Sequence, residues 1–309
     1  MSPPDTLSPA QDRNRAAGYG FALSAFVTWA LFPLFWNLLD GVSALEILAH
    51  RVLWTLPVCA LALLAVRRFA EIRAALSSPR TLLFLGLSTA LISVNWGVYI
   101  HAVTSGHVLD ASLGYFLNPL VNVLAGMLLF GERLRPLQWA AIACAASGVA
   151  GAAIAVGEVS WIGLAVAFSF GGYGAVRKLI DTPAIPGLLV ETLLLLPLTA
   201  GYVIWLGVEG SGVFLQGDRS VDLLLIASGL VTAAPLMFYV AGARRLPMST
   251  MGMLFYLTPT GLFLLGTLLY GEPVGAGDMI SFGLIWLGLA VFSYDLQRYA
   301  RRKNRATAI

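Results

Sequence analysis

Three ionisable side chains lie close together in a segment that is otherwise apolar. The run ALEILAHRVLW carries Glu46, His50 and Arg51, and the first two are four residues apart. On a helix this spacing places two side chains on one face, with Arg51 about a quarter-turn from His50. A guanidinium binds carboxylates and phosphates, and a histidine carries a proton near neutral pH. The trio therefore indicates either a site for an anionic or zwitterionic molecule, with His50 as a proton carrier, or a neutralised clamp to a neighbouring helix through Asp110 or Asn95.

Aromatic and amide side chains occur within several other apolar segments. Together they suit a pocket for a moderately sized, partly apolar organic molecule, although asparagine and serine also join membrane helices by hydrogen bonds. We expect substrate contacts from Trp29, Arg51, Asn95, Trp96, Tyr99, Tyr115, Asn118, Tyr173 and Tyr256. We expect proton coupling or a charge clamp from Glu46, His50 and Glu191.

Prolines within four of these segments predict places where a helix bends. A proline inside a helix removes one backbone hydrogen bond and clashes with the preceding turn. Neighbouring helices or water must then satisfy the freed carbonyl. We expect gating movements at Pro33, Pro119, Pro235 and Pro259.

The sequence lacks the motifs of several kinds of catalytic and nucleotide-binding site. The sequence contains no GxxxxGK[ST] phosphate loop, no HExxH zinc motif and no serine nucleophile elbow. We therefore expect no bound cofactor, no metal site, no direct use of ATP and no enzyme activity. Two alternatives remain open: a membrane-embedded enzyme that acts on a lipid-linked substrate, and a receptor or assembly subunit that transports nothing.

The segments that carry these residues are long enough to cross a bilayer. Of 309 residues, 58% are hydrophobic and only 11% are charged, whereas about a quarter are charged in soluble domains. A membrane span needs about 20 apolar residues. Ten such stretches can be marked: Gly18–Leu39, Ala44–Val66, Thr81–Thr104, Leu109–Phe130, Leu137–Val156, Trp161–Ile180, Gly187–Val208, Val221–Ala243, Ser249–Tyr270 and Ala276–Leu296.

One stretch of the sequence occurs twice. Tyr115–Glu132 reads YFLNPLVNVLAGMLLFGE and Phe255–Glu272 reads FYLTPTGLFLLGTLLYGE, so that a proline and a final Gly-Glu recur in register. Shorter matches relate Ala44-Leu45-Glu46 to Leu189-Val190-Glu191 and Trp29-Ala30 to Tyr173-Gly174. Since each half has five spans, the second must enter the membrane from the opposite side, as in alternating-access transporters.

The duplication defines the expected domains. We expect an all-α integral membrane protein with ten transmembrane helices in two inverted five-helix repeats. The repeats are residues 18–156 and 157–297, between a disordered tail of residues 1–17 and a basic tail of residues 298–309. Small residues at Cys144–Ala155 predict a close helix contact, either within the fold or in a homodimer.

Positive charge is concentrated on one predicted face. All basic residues except Arg51 and Arg219 fall near segment ends on that face. The positive-inside rule then places both termini in the cytoplasm. This pattern also accounts for the pI of about 9.0 without nucleic acid, which we do not expect as a partner.

The longest polar-containing blocks are similar to a known family. ALEILAHRVLW, NWGVYIHAVTSGHVLDASLGYFLNPLVNVLAGMLLFGERLRPLQW, SFGGYGAVRKL, ETLLLLP, ARRLPMST and FSYD resemble the RarD group of EamA-domain transporters, in the drug/metabolite transporter superfamily. The resemblance implies two inverted EamA repeats in a bacterial inner membrane. Related members export amino acids and other metabolites through a central cavity, but the resemblance does not supply a substrate.

These observations lead to one leading prediction. The chain is expected to be a secondary transporter that exports a small amphipathic metabolite or drug-like compound by alternating access. Its expected partners are that small molecule and the lipid bilayer.

Overall fold

The computed structural model describes residues 9–104, 108–156, 161–269 and 275–307, and the regular structure in these ranges is entirely helical. A short 3₁₀ helix, Asn37–Leu39, follows the second helix. The helices are α1 (Pro9–Ala30), α2 (Phe32–Trp36), α3 (Ala44–Val66), α4 (Phe69–Ser77), α5 (Pro79–Thr104), α6 (Val108–Phe130), α7 (Pro136–Val156), α8 (Trp161–Leu179), α9 (Ala184–Glu209), α10 (Arg219–Ala243), α11 (Met248–Phe255), α12 (Leu257–Leu268) and α13 (Ala276–Thr307).

Six stretches of the described chain are long and apolar enough to cross a membrane. They are Ala44–Val66, Pro79–Tyr99, Ala184–Glu209, Arg219–Ala243, Met248–Leu268 and Met279–Tyr299. The pair formed by α1 and α2, bent by 45°, is a seventh if it counts as one span. In the described ranges the regular structure is thus helical, and it includes several membrane-spanning helices.

The first predicted span is broken in two, and helix extends beyond both predicted ends of the membrane region. Helix α1 is described from Pro9, within the segment that the sequence predicts to be a disordered tail. It ends at Ala30, and α2 starts at Phe32, one residue before Pro33. The ring of Pro33 would clash with the preceding turn if the helix continued without a break. At the other end α13 runs on to Thr307, because arginine, lysine and alanine are strong helix formers.

The other three predicted hinge prolines lie inside helices. Pro119 and Pro235 occupy the interiors of α6 and α10. Pro259 lies in α12, and the break between α11 and α12 falls earlier, at Tyr256.

Two features near the helix ends could be read only from the structure. Asp218 caps α10 by accepting hydrogen bonds from the amides of Ser220 (2.9 Å) and Val221 (3.4 Å). The Ser220 hydroxyl and these amides lower the pKa of the Asp218 carboxyl. Helix α4, Phe69–Ser77, lies in what the hydropathy pattern marked as a connection.

The repeated Gly-Glu has a structural role in its first copy. Gly131 has a φ of +61° directly after α6, the left-handed conformation in which glycine commonly ends helices. Glu132 then accepts hydrogen bonds from the amides of Met248 (2.6 Å) and Ser249 (3.0 Å). It therefore satisfies the free amides at the start of α11 and ties the two halves together. The second copy, residues 271–272, lies outside the described residues.

The small residues of α7 pack within the fold against α13. A Cβ on Gly148 would lie 2.5 Å from the carbonyl oxygen of Ser281, and one on Gly288 would lie 2.6 Å from that of Ala141. Neither distance is compatible with a side chain, so these glycines let the two backbones approach closely, as small residues do in membrane helix pairs.

We expect Gly288→Leu to lower the free energy of unfolding in detergent by about 1–3 kcal/mol, because the added side chain overpacks the α7–α13 contact. Gly283→Leu is the matched control on the same helix, since a Cβ there meets nothing within 4 Å. SDS titrations followed by far-UV circular dichroism measure both variants. Equal destabilisation by the two substitutions would contradict the close contact.

Candidate functional site

A cavity of about 180 Å³ lies between helices of both halves of the chain. In the first half its lining residues are Trp29, Phe32, Pro33, Trp36, Arg51, Asn95, Trp96, Tyr99 and Tyr115. In the second half they are Phe170, Thr232, Leu236, Phe255, Thr258 and Leu262. The lining is mostly aromatic with a few polar groups, which is the usual character of a small-molecule site.

Arg51 is the charged residue of this lining. Its guanidinium carbon lies 5.0 Å from the centre of the Trp36 ring and 5.1 Å from that of Trp96. Its Nε donates a hydrogen bond to the Thr232 hydroxyl at 3.0 Å. Among the ion pairs of the described residues, none involves Arg51. Among the described residues the site therefore holds a cation stabilised by π faces and one hydroxyl, and its guanidinium can donate further hydrogen bonds to an anionic ligand.

Amide and phenol groups surround the cation. The Asn95 side-chain nitrogen donates to the carbonyl of Val166 (2.9 Å) and to the Ser169 hydroxyl (3.2 Å), which fixes α5 against α8. Tyr99 and Tyr115 meet edge to face with ring centres 6.1 Å apart. Both rings line the cavity and can pack against an apolar group, while their hydroxyls can donate hydrogen bonds.

A cluster of six aromatic residues closes one side of the cavity. Its members are Phe26, Trp29, Phe170, Tyr173, Tyr239 and Phe255, and we call it the aromatic cluster. Phe170 lies 5.4 Å from Trp29, 5.1 Å from Tyr239 and 5.7 Å from Phe255, between ring centres. These separations are typical of packed aromatic pairs, so the six rings pack as one cluster beside the cavity.

A second, smaller cavity of about 20 Å³ lies next to the first. The two share Trp96, Thr232 and Leu236 in their linings, and we call these three residues the shared wall. The lining of the small cavity also includes Tyr173 and Glu191. Arg51 therefore lines one cavity and Glu191 lines the other.

Glu191 belongs to a buried polar network. It accepts a hydrogen bond from the Ser88 hydroxyl and another from the Tyr173 hydroxyl at 3.5 Å. Its Oε1 lies 3.5 Å from Nε of Arg177, which is fully buried. A Cβ on Gly187 would lie 2.0 Å from that guanidinium, so a larger residue at this position would displace Arg177 from α9. The carboxylate is held by α5, α8 and α9 at once.

Glu46 and His50, which lie close to Arg51 in the sequence, are not among the residues that line the cavity. Glu46 accepts hydrogen bonds from the amides of Val213 (2.7 Å) and Phe214 (3.4 Å), and so anchors the α9–α10 connection. His50 is fully buried against the Phe214 ring, and its Nδ1 accepts a hydrogen bond from the Trp54 indole at 3.2 Å. Its Nε2 is buried without a hydrogen-bond partner among the described residues. Glu46 thus bonds a loop backbone, whereas Asn95, one expected clamp partner, bonds α8. The side chain of Asp110, the other expected partner, lies outside the described residues.

Three of the expected contact residues lie outside the lining of the larger cavity, and one of them, Tyr173, lines the small cavity instead. Asn118 is buried and donates to the carbonyl of Ala167 (3.2 Å), and its own oxygen accepts from Asn122 (2.9 Å). Tyr256 is fully buried at the α11–α12 break. Both therefore pack between helices in this conformation.

Several lining residues were not among the sequence candidates. Trp36 reads as an interfacial anchor because it lies near a predicted span end, but it stacks on Arg51. Thr232 carries a weak signal, as a hydroxyl one turn before Pro235 in an apolar helix. Phe255 corresponds to Tyr115 in the repeated segment, whereas the ring of Phe170 carries no signal that distinguishes it from an ordinary core residue.

Comparisons with known proteins agree with this architecture. Residues 16–154 match the EamA-like transporter family. The chain is 45% identical to protein RarD of Streptomyces exfoliatus over 95% of its own length and 93% of that protein. It is 40% identical to protein RarD of Escherichia coli over 93% and 97% of the two chains.

Two further similarities concern function and fold. An uncharacterized transporter of Pseudomonas aeruginosa is 42% identical over 94% of this chain and 97% of that protein. One protein of known crystal structure shares the fold with a TM-score of 0.68 at 21% identity, over 89% of this chain and 96% of that one. Identities of 40% and more over nearly the whole length place the chain in one family with these relatives: it is a membrane transporter of the RarD group of EamA-like transporters.

Proposed function

We propose that this transporter is a secondary carrier that exports a small amphipathic metabolite or drug-like compound bearing a carboxylate. Transport takes place across the bacterial inner membrane by alternating access. The proposal rests on the position of Arg51, which lines an aromatic cavity between the two halves. Among the described residues this cation has no carboxylate partner.

The electrostatics of the cavity favour an anionic group on the substrate. A charge at membrane depth costs at least a few kcal/mol unless it is paired or faces water. Two indole faces and the Thr232 hydroxyl recover part of that cost for Arg51. A bound carboxylate would add charge-assisted hydrogen bonds, while Tyr99 and Tyr115 would pack against the apolar part of the same molecule.

The two-sided lining supports alternating access. Helices from residues 18–156 and from residues 157–297 contribute to the same cavity, as expected when a substrate site lies between two inverted repeats. We therefore propose ten spans in two five-helix halves, with both termini in the cytoplasm. The aromatic cluster is the closed gate in this conformation, and the breaks at Leu31 and Tyr256 are the places where the helices bend.

Glu191 is our candidate for the coupling group. It lines the small cavity beyond the shared wall. The titratable and charged groups that face it are Arg177 and Tyr173 on α8 and Cys59 on α3. Release of Arg177 when Glu191 gains a proton would alter the contact between α8 and α9, and so link protonation to the conformation of the helices.

In proteoliposomes, Arg51→Gln should remove the preference for carboxylates. A panel of aromatic amino and hydroxy acids, each paired with its neutral amide, provides the probes. Loss of a hydrogen bond to a charged group costs about 1.5–3 kcal/mol, so we expect KM for a transported acid to rise roughly 10- to 150-fold. KM for the amide should change little.

Two variants control for other effects of this substitution. Arg51→Lys keeps the charge but not the planar donor set, and should recover part of the preference. Arg219→Gln removes an exposed base from the start of α10 and should leave KM unchanged. Unaltered selectivity in Arg51→Gln would show that Arg51 does not recognise the substrate.

The inverted topology predicts which side of the membrane each loop faces. In a background of Cys59→Ala and Cys144→Ala, single cysteines replace the exposed residues Asp40, Arg133, Asp181 and Gln216. An impermeant maleimide added to intact spheroplasts should label the variants at positions 40 and 216. The variants at 133 and 181 should react only after permeabilisation. Labelling of 40 and 133 from one side would exclude the proposed order of spans.

Glu191→Gln should uncouple transport from the pH gradient. The variant cannot release a proton, so flux driven by an imposed pH difference should fall to the level seen without one, while exchange of labelled for unlabelled substrate continues. Glu46→Gln is the control, because Glu46 binds a loop and not the cavity. Gradient-driven flux that persists in Glu191→Gln would assign coupling to another group.

A further inference from the structure

A crevice of about 460 Å³ lies at the basic end of the helices, apart from the transport cavity. It is bounded by α1, α3, α10 and the first turn of α9, and it shares no lining residue with the central cavity. Three arginines line it: Arg68, Arg244 and Arg245. The rest of the lining is apolar.

The arginines carry more charge than their partners neutralise. Arg68 pairs with Glu71, and Arg244 pairs with Asp181 at 2.6 Å. Arg245 has only neutral partners in the described chain, the side chain of Asn14 (3.0 Å) and the carbonyl of Ala241 (2.8 Å). One positive charge therefore lacks a counter-ion within the described residues.

Two further observations indicate an incomplete site. Burial lowers the pKa of Arg245, and the neighbouring charges of Arg244 and Arg68 lower it further, so the three cations repel one another. Nη1 of Arg244 is enclosed and has no hydrogen-bond partner among the described residues. An anion between these guanidinium groups would relieve the repulsion and accept this hydrogen bond.

The apolar walls of the crevice indicate that the bound anion carries an apolar group. Phe238 stacks on Phe21 with ring centres 6.0 Å apart, and both rings line the crevice with Ala62, Ile185 and Met237. These side chains form a half-buried surface that begins at the arginines and follows α3 and α10 into the apolar region. A free phosphate would leave this surface uncovered, whereas an acyl chain would cover it.

We propose that this crevice binds one anionic phospholipid, with its phosphate between Arg245 and Arg244 and one acyl chain along Met237 and Phe238. Basic pockets between membrane helices bind anionic headgroups in this way. The lipid would join α10 to α1 and α3 and so stabilise their contact. The site is independent of the substrate proposed above.

Native mass spectrometry of the purified full-length protein tests this inference by titration with phosphatidylglycerol and phosphatidylcholine. The wild type should retain one phosphatidylglycerol molecule well above the level of phosphatidylcholine. Each arginine near a lipid surface contributes about 1 kcal/mol, so Arg245→Gln should weaken retention about fivefold and Arg68→Gln/Arg245→Gln about 25-fold. Arg73→Gln, an exposed arginine of α4 outside the crevice, should have no effect.

Two further measurements distinguish the binding of a lipid from the binding of a simple anion. Ala62→Phe fills the apolar part and should reduce phosphatidylglycerol retention with all three arginines intact. Glycerol 3-phosphate, at the same concentration as the lipid, should not compete. Equal retention of both lipids, retention unaffected in Arg245→Gln, or full competition by glycerol 3-phosphate would each overturn the assignment. Because the readout is binding, failure of transport in the flux experiments leaves this result unchanged.

Discussion

A charge within a bilayer must be neutralised by a partner or must reach water, and this constraint explains where the ionisable residues of the transporter lie. Arg177 satisfies it internally: it is fully buried beside Glu191 and is held by the carbonyls of Pro183 and Ala184. Arg51 satisfies it in another way, since its guanidinium lies between two indole rings and faces a cavity. Residues of the same type thus form a structural cross-link in one place and line a cavity in the other.

The sequence predicted the helices better than their ends. Apolar stretches of about 20 residues are recognisable by composition, and the helices centred on α3, α9 and α10 are confirmed. The division of the first span at Leu31, the cap at Asp218 and the extra helix α4 depend on local hydrogen bonds and on single residues. Hydropathy averaged over a window does not contain that information. Ten spans and the inverted repeats remain predictions.

The sequence predicted the chemical character of the candidate site, but only part of its residues. Arg51, Asn95, Trp96, Tyr99 and Tyr115 line the cavity, because polar and aromatic residues in membrane helices usually face the protein interior. Glu46 and Asn118 are likewise polar residues in apolar helices, but they form hydrogen bonds with backbone groups. Whether a polar side chain meets a neighbouring helix or a cavity depends on how the helices cross, and that is determined by contacts distant in sequence such as Gly229 against Trp54.

The layer formed by Trp96, Thr232 and Leu236 separates two compartments by the thickness of single side chains. Because so little material lies between them, a large share of the membrane voltage would fall across this layer whenever each compartment is in contact with its own aqueous phase. A net charge moved through it would then change in energy by about 2.3 kcal/mol per 100 mV. An anionic cargo would be pushed outward by the interior-negative potential of a bacterium, whereas a zwitterion would not respond. The ionic form of the cargo would therefore decide how strongly the cell's electrical potential drives its movement across the membrane.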